Sequence, residues 1–143
     1  MRTRGPQPGW GILPLALLLG LAGCSSETLT GPDAVEGGVW KLQTLQRAGA
    51  ATVTTVAQPE RYTIEFRPDL QLDVKADCNG CSGPYTLSGS SLQVGGLVCT
   101  RVACPADSID QAFLAVLQGA QTHGVTDEVL TITSTAGEMT LRR

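Results

Sequence analysis

From residue 39 onward the hydrophobic positions fall mostly on a period of two. Tyr62, Ile64 and Phe66 alternate with Thr63, Glu65 and Arg67, the pattern of a strand with one buried face. Pro68-Asp69 is a turn signal, and beyond it Leu70, Leu72 and Val74 alternate with Gln71, Asp73 and Lys75. These two runs predict a hairpin. A second hairpin pairs Tyr85 and Leu87 with Leu92 and Val94 across Ser88-Gly89-Ser90. A third pairs Leu130 and Ile132 with Met139 and Leu141 across a Ser-Thr-Ala-Gly-Glu loop. Residues 39–45 and 52–56 read as further strands, and Val125 ends another short one. One segment breaks the pattern. Ile109, Ala112, Phe113, Val116 and Leu117 make a single apolar stripe at helical spacing, with Phe113 in its middle as a core anchor. Ser108 with Gln111 fits a capping box, and Gly119 fits a C-terminal stop. A lone amphipathic helix must cover one face or one open end of the sheet. The predicted fold of residues 39–143 is therefore mainly β (α+β): a small antiparallel sheet or open barrel with one amphipathic helix packed on it.

The N-terminal pattern is different. Arg2 and Arg4 precede an uninterrupted apolar run over residues 12–22 that contains Pro14 and Gly20. A membrane-spanning helix needs roughly 20 residues, whereas a secretory signal needs an apolar stretch of about 7–15. Residues 1–23 are therefore expected to be a signal peptide. The run ends in Leu21-Ala22-Gly23-Cys24, which resembles the lipobox of bacterial lipoproteins. That resemblance implies cleavage before Cys24, a diacylglyceryl group on its thiol and acylation of the new amino terminus. One acyl chain anchors weakly, and two or three hold a protein at a membrane durably. Ser25 resembles the outer-membrane sorting pattern of cells with two membranes. The implied location is the cell envelope, on the periplasmic or surface side of an outer membrane where there is one. Residues 24–38 are polar and rich in Gly and Pro, and they read as a lipidated flexible tether.

Composition narrows the partners. Charged residues make up 16% of the chain, against a typical value of about 25%. This is too little for a coiled coil or a disordered acidic chain. The net charge is −3 and becomes more negative once Arg2 and Arg4 leave with the signal. No basic surface for nucleic acid is expected. Aromatics are 4%, a thin core set for a small domain that covalent staples would reinforce.

Four cysteines remain after Cys24, and export to an oxidising compartment favours disulfides. Facing residues in an antiparallel pair have nearly constant summed numbers. Cys78 with Cys104 gives 182 and Cys81 with Cys99 gives 180, whereas the crossed choice gives 177 and 185. The nested pairing fits best, and the local pairs Cys78–Cys81 and Cys99–Cys104 remain open. Trp40-Lys41-Leu42, Tyr62-Thr63-Ile64-Glu65-Phe66, Asp77-Cys78-Asn79, Gly83-Pro84-Tyr85, Thr100-Arg101-Val102-Ala103-Cys104 and Ala112-Phe113-Leu114 together resemble the META domain of HslJ-like lipoproteins. The likeness runs from about Gly37 to Arg143. It implies a small, partly barrel-like antiparallel β-structure with a packed helix, a Cys78–Cys104 disulfide, and loose links to envelope stress. Cys81 and Cys99 are extra to that pattern, and a second bond between them is the economical reading. The resemblance brings no catalytic residues.

The remaining chemistry is sparse. Cys78-Asn79-Gly80-Cys81 is a C-x-x-C motif, but its flanks read as a strand and a Gly-Pro loop and not as the helix start a redox motif needs. A four-cysteine zinc site would need free thiolates, which export disfavours. His123, the only histidine, reads as a surface or strand-edge residue. Arg101 lies between Cys99 and Cys104, where a stapled loop could offer it to an anion; a plain surface or core-edge salt bridge is the simpler reading. No catalytic constellation, metal site or cofactor is expected. Two functions fit: a non-enzymatic envelope module that binds an unknown protein partner, or a carrier of a lipid or other apolar ligand inside the β-structure.

Overall fold

The structure, a computed structural model, describes Gly5 and residues 32–143. The expected cleavage site, Cys24 and the part of the expected tether up to residue 31 lie outside the described residues. A single helical turn, α1 (Pro32–Val35), leads into strand β1 (Val39–Arg47). Then come β2 (Thr54–Thr55), β3 (Tyr62–Phe66), β4 (Gln71–Ala76), β5 (Asn79–Ser88), β6 (Ser91–Val94) and β7 (Val98–Cys99). Helix α2 (Asp110–Gln118) follows, then β8 (Ala120–Thr126), β9 (Val129–Ser134) and β10 (Gly137–Arg142).

The sheet closes. In the order β1-β3-β4-β5-β6-β8-β9-β10, each strand is antiparallel to its neighbour, and β10 returns to pair with β1 from Lys41↔Arg142 to Arg47↔Gly137. The expected small sheet or open barrel is thus an eight-stranded closed barrel, with β2 and β7 as extra strands on β1 and β5. Eight strands leave an interior that side chains can fill. Here Trp40, Leu42, Leu45, Ile64, Phe66, Leu72, Tyr85, Leu92, Leu130 and Ile132 each keep under 2% of their surface exposed, apart from Leu45 at 2%.

The three predicted hairpins form in the expected registers, with Ile64↔Val74, Leu87↔Leu92 and Met139↔Ile132 opposed. Leu70 departs from expectation. It sits half exposed at the hairpin tip with φ 60°, where its N–H donates to Arg67 O at 3.0 Å, and β4 starts one residue later. In β1 the inward set shifts from Trp40 and Leu42 to Leu45, because a bulge between Leu42 and Thr44 inserts one extra residue. Gly137 starts β10 with φ 144°, and a side chain there would overlap Gln46 O. Only glycine lets β10 meet β1 this closely.

Both ends of the barrel are plugged. At one pole Phe113, fully buried on α2, meets Tyr62 edge-on with centroids 5.7 Å apart and planes at 69°. Helix α2 touches β1, β4, β6, β9 and β10, so it covers the open end and not one face. The expected capping box does not form. Ser108 Oγ instead accepts from Asp110 N–H at 3.3 Å, and Tyr62 Oη accepts from Ile109 N–H at 3.0 Å. At the other pole Phe66 and Tyr85 pack edge-on at 5.1 Å, and Trp40 Nε1 donates to Val35 O. Val35 is fully buried. The expected tether over 24–38 thus overlaps the folded part: from residue 34 the chain packs in the core, because Trp40 needs an acceptor for its indole N–H and finds it in Val35.

Candidate functional site

The cysteines gather one corner of the barrel. Asp77 and Cys78 form the two-residue turn between β4 and β5, with Ala76 opposite Asn79 and Asp77 at φ 59°. Arg61 fixes this turn through a bidentate contact with Asp77, Nε to Oδ1 at 2.7 Å and Nη2 to Oδ2 at 2.6 Å. Arg61 Nη1 also donates to Asp107 Oδ2 at 3.0 Å, which ties the segment before α2 to the same point. The Arg61 guanidinium holds the Asp77 carboxyl below the usual carboxylate range.

The disulfides join as the nested register requires: Cys78 to Cys104 with Cα atoms 5.4 Å apart, and Cys81 to Cys99 with Cα atoms 4.0 Å apart. The inner distance lies below the usual range of about 4.4–6.8 Å; Cys81 and Cys99 stand directly opposite on β5 and β7. Asn79, 8% exposed, sits under the loop between the two bonds. Its Oδ1 accepts from Val102 N–H at 2.8 Å and from Thr100 Oγ1 at 3.0 Å; its Nδ2 donates to Val102 O at 3.0 Å. The carboxamide thus serves Val102 as a neighbouring strand would. Thr100 N–H donates to Gly80 O at 3.0 Å, and Thr100 Oγ1 accepts from Gly80 N–H at 3.1 Å. The Cys-Asn and Thr-x-x-x-Cys motifs are therefore two halves of one clamp that shapes residues 99–104.

With all four cysteines in these bonds, neither Cys78 nor Cys81 is a thiolate; Cys78 lies in the turn before strand β5 and Cys81 within it. Gly83-Pro84, expected as a loop, continues that strand. A Cβ on Gly83 would lie 2.7 Å from Gly96 O, so the crossing segment requires glycine. Arg101 is exposed on the clamped loop and, among the described residues, makes no ion pair, contrary to the salt bridge that was the simpler expectation. Among the described residues no group of His, Cys, Asp and Glu could hold a metal ion, and no helix is long and apolar enough to cross a membrane.

His123 corrects another expectation. It is 4% exposed, not at the surface or a strand edge. Strand β8 lies between β6 and β9, and a bulge between Ala120 and Thr122 turns His123 inward with Val125. Burial lowers its pKa from the ordinary 6.5, and a hydrogen bond with the Ser90 backbone opposes that shift. Because the folded value is depressed, the unfolded chain binds the proton more readily. Stability is complete above about pH 6.5 and falls as pH drops from there through the folded value. The urea midpoint of the native domain should decline between pH 7.5 and 5, and His123→Gln should flatten that decline. An equal decline in the variant would clear His123 of the effect.

The META domain family model matches residues 33–143. The chain belongs to the META domain family. The match begins where Val35 enters the core, four residues before the expected Gly37. No curated protein matches. Solved structures share the fold. The NMR structure of a protein from Burkholderia xenovorans is 22% identical with a TM-score of 0.63, covering 84% of this chain and 95% of that one. A second NMR structure is 24% identical with a TM-score of 0.59, covering 80% and 95%. The crystal structure of a DUF4847 family protein from Bacteroides vulgatus is 12% identical with a TM-score of 0.56, covering 77% and 94%. In this META domain the motifs pointed to the disulfides but not to Asn79 as the clamp's organiser or to Arg61 as the partner of Asp77. The one available signal was a buried-type asparagine beside a cysteine, in a strand with few apolar residues.

Proposed function

We propose that this META domain is a non-enzymatic interaction module carried by an envelope lipoprotein, held at a membrane through lipid on Cys24. The observation that carries the reading is the pairing of a lipobox-like Leu21-Ala22-Gly23-Cys24 with a folded domain that starts only seven residues after Ser25. From Cys24 to Pro32 the chain reaches about 28 Å at most. The pole holding Val35 and Trp40 therefore lies within that reach of the lipid anchor. The alternative, a carrier of an apolar ligand, needs room inside the barrel, and the close-packed interior supports the interaction reading over it. A groove of about 640 Å³ lies open on the outer side of the barrel, lined by apolar residues such as Val39 and Val98 and by polar ones such as Thr63, Asp73, Lys75 and Ser82. Being open to solvent, it is not the enclosed chamber a carrier needs. The likeness to HslJ-like proteins supports an envelope-stress setting, and Ser25 supports the outer membrane in a two-membrane cell.

Cys24→Ser tests the anchor. In a bacterial host the native chain should stay with membranes through a carbonate wash and begin at an acylated Cys24. The variant should be released or persist as uncleaved precursor. Mature membrane-extracted protein that retains Met1, or carries an unmodified Cys24, would refute the anchor.

A further inference from the structure

An open groove of about 490 Å³ runs between the clamped segment after β7 and helix α2, lined by Arg101, Val102, Ala103, Asp110, Gln111 and Leu114 among others. Its size suits a ligand cleft, for which about 300–1,000 Å³ is common. Its one wall is helix and the other is main chain. Gly80 and Asn79 already take the inward groups of Thr100 and Val102. Along an extended segment, alternate residues send their N–H and C=O groups to opposite edges. Cys99, Arg101 and Ala103 therefore turn theirs away from β5, to the segment's free edge. Five residues at about 3.3 Å per step give an edge about 13 Å long.

Such an edge is a template for another strand, and proteins commonly blunt theirs with lysine, proline or a covering element. Here the opposite occurs. Val98 is 77% exposed and Val102 58%, the two most exposed large hydrophobic residues described. Disulfides pin the segment at Cys99 and at Cys104, so it is ordered before anything binds. Charge adds a direction. The groove's one acid, Asp110, accepts from Ser108 Oγ and from Gln111 Nε2, each at 3.3 Å; Arg61 and Arg67 each hold two aspartates, whereas Arg101 holds none among the described residues. The chain's own tether is a poor occupant, since it joins at Pro32 on the opposite pole.

We propose that this groove docks an extended segment of another envelope protein, which adds as a strand along residues 99–103 and sets a carboxylate against Arg101. Val102 and Leu114 supply the apolar contact. The proposal deepens the interaction-module reading and rests on it; the geometry of the groove does not depend on the anchor at Cys24.

The test uses the full chain in nanodiscs and a displayed library of random decapeptides. The expected winners share an acidic residue among β-branched neighbours. The synthetic winner should bind at least tenfold more weakly to Arg101→Glu, and N-methylation of its alternate amides should abolish binding. Amide shift changes should centre on Cys99, Arg101, Ala103 and Gln111. Overturning results would be no enrichment over the reduced protein, winners indifferent to Arg101→Glu and N-methylation, or shifts placed elsewhere. The same shifts arising on concentration alone would make the occupant a second copy and overturn the proposal too. A native chain that proves soluble and unlipidated yet still binds the winner would sink the anchor and leave the groove standing.

Discussion

Phe113→Ala is expected to cost the domain about 3–5 kcal/mol, the range for emptying a buried phenylalanine site. Phe113 has no exposed surface and lies at the centre of the only apolar stripe on α2. Its ring meets Tyr62, whose hydroxyl accepts from Ile109 N–H at the start of the same helix. Removing the ring therefore opens a void under the plug and loosens the strand that the helix rests on. A small domain has only about 5–15 kcal/mol in total, so the variant should unfold at a far lower urea midpoint. A loss below about 1 kcal/mol would mean that the helix does not seal the barrel.

The second large effect concerns the outer disulfide. Replacing Cys78 and Cys104 together by serine should cost about 3–4 kcal/mol in the chain-entropy account, for a loop of 27 residues. Replacing Cys81 and Cys99 together should cost less. That bond closes a shorter loop inside the first, across residues already held opposite each other by the β5–β7 ladder. Changing both partners avoids a free thiol that could mispair. Urea unfolding of the two double variants under oxidising conditions gives the order directly. Equal losses, or a larger loss from the inner pair, would contradict the assignment of the outer bond as the main constraint on residues 99–104.

What the sequence revealed depended on how local the information was. The hairpins were legible because each strand and its partner are neighbours in the chain, and period two survives along both. Cys81 opposite Cys99 followed from the same register logic. Closure was not legible, because it joins β1 to β10 across the whole domain and no local pattern encodes it. Strand β5 was hidden at its start, where the inward positions are Asn79, Cys81 and Gly83 and carry little apolar signal. Strand β8 was hidden by its bulge, which breaks alternation between Ala120 and His123. The same bulge explains why His123 looked peripheral. Ala34 and Val35 were missed because a polar run surrounds the two residues that enter the core. Arg101 was singled out for its place between two cysteines, and the groove beside it became visible only once α2 was docked.

The central claim is that a filled barrel acts through its surface while Cys24 holds it at a membrane. Native mass spectrometry of the mature full chain, released gently in mild detergent, tests both halves at once. The predicted mass begins at Cys24, includes its acyl groups, is four hydrogens lighter than the reduced chain, and holds no further small molecule. A chain that starts at Met1, or an apolar molecule bound one to one that persists in Cys24→Ser, would contradict the account.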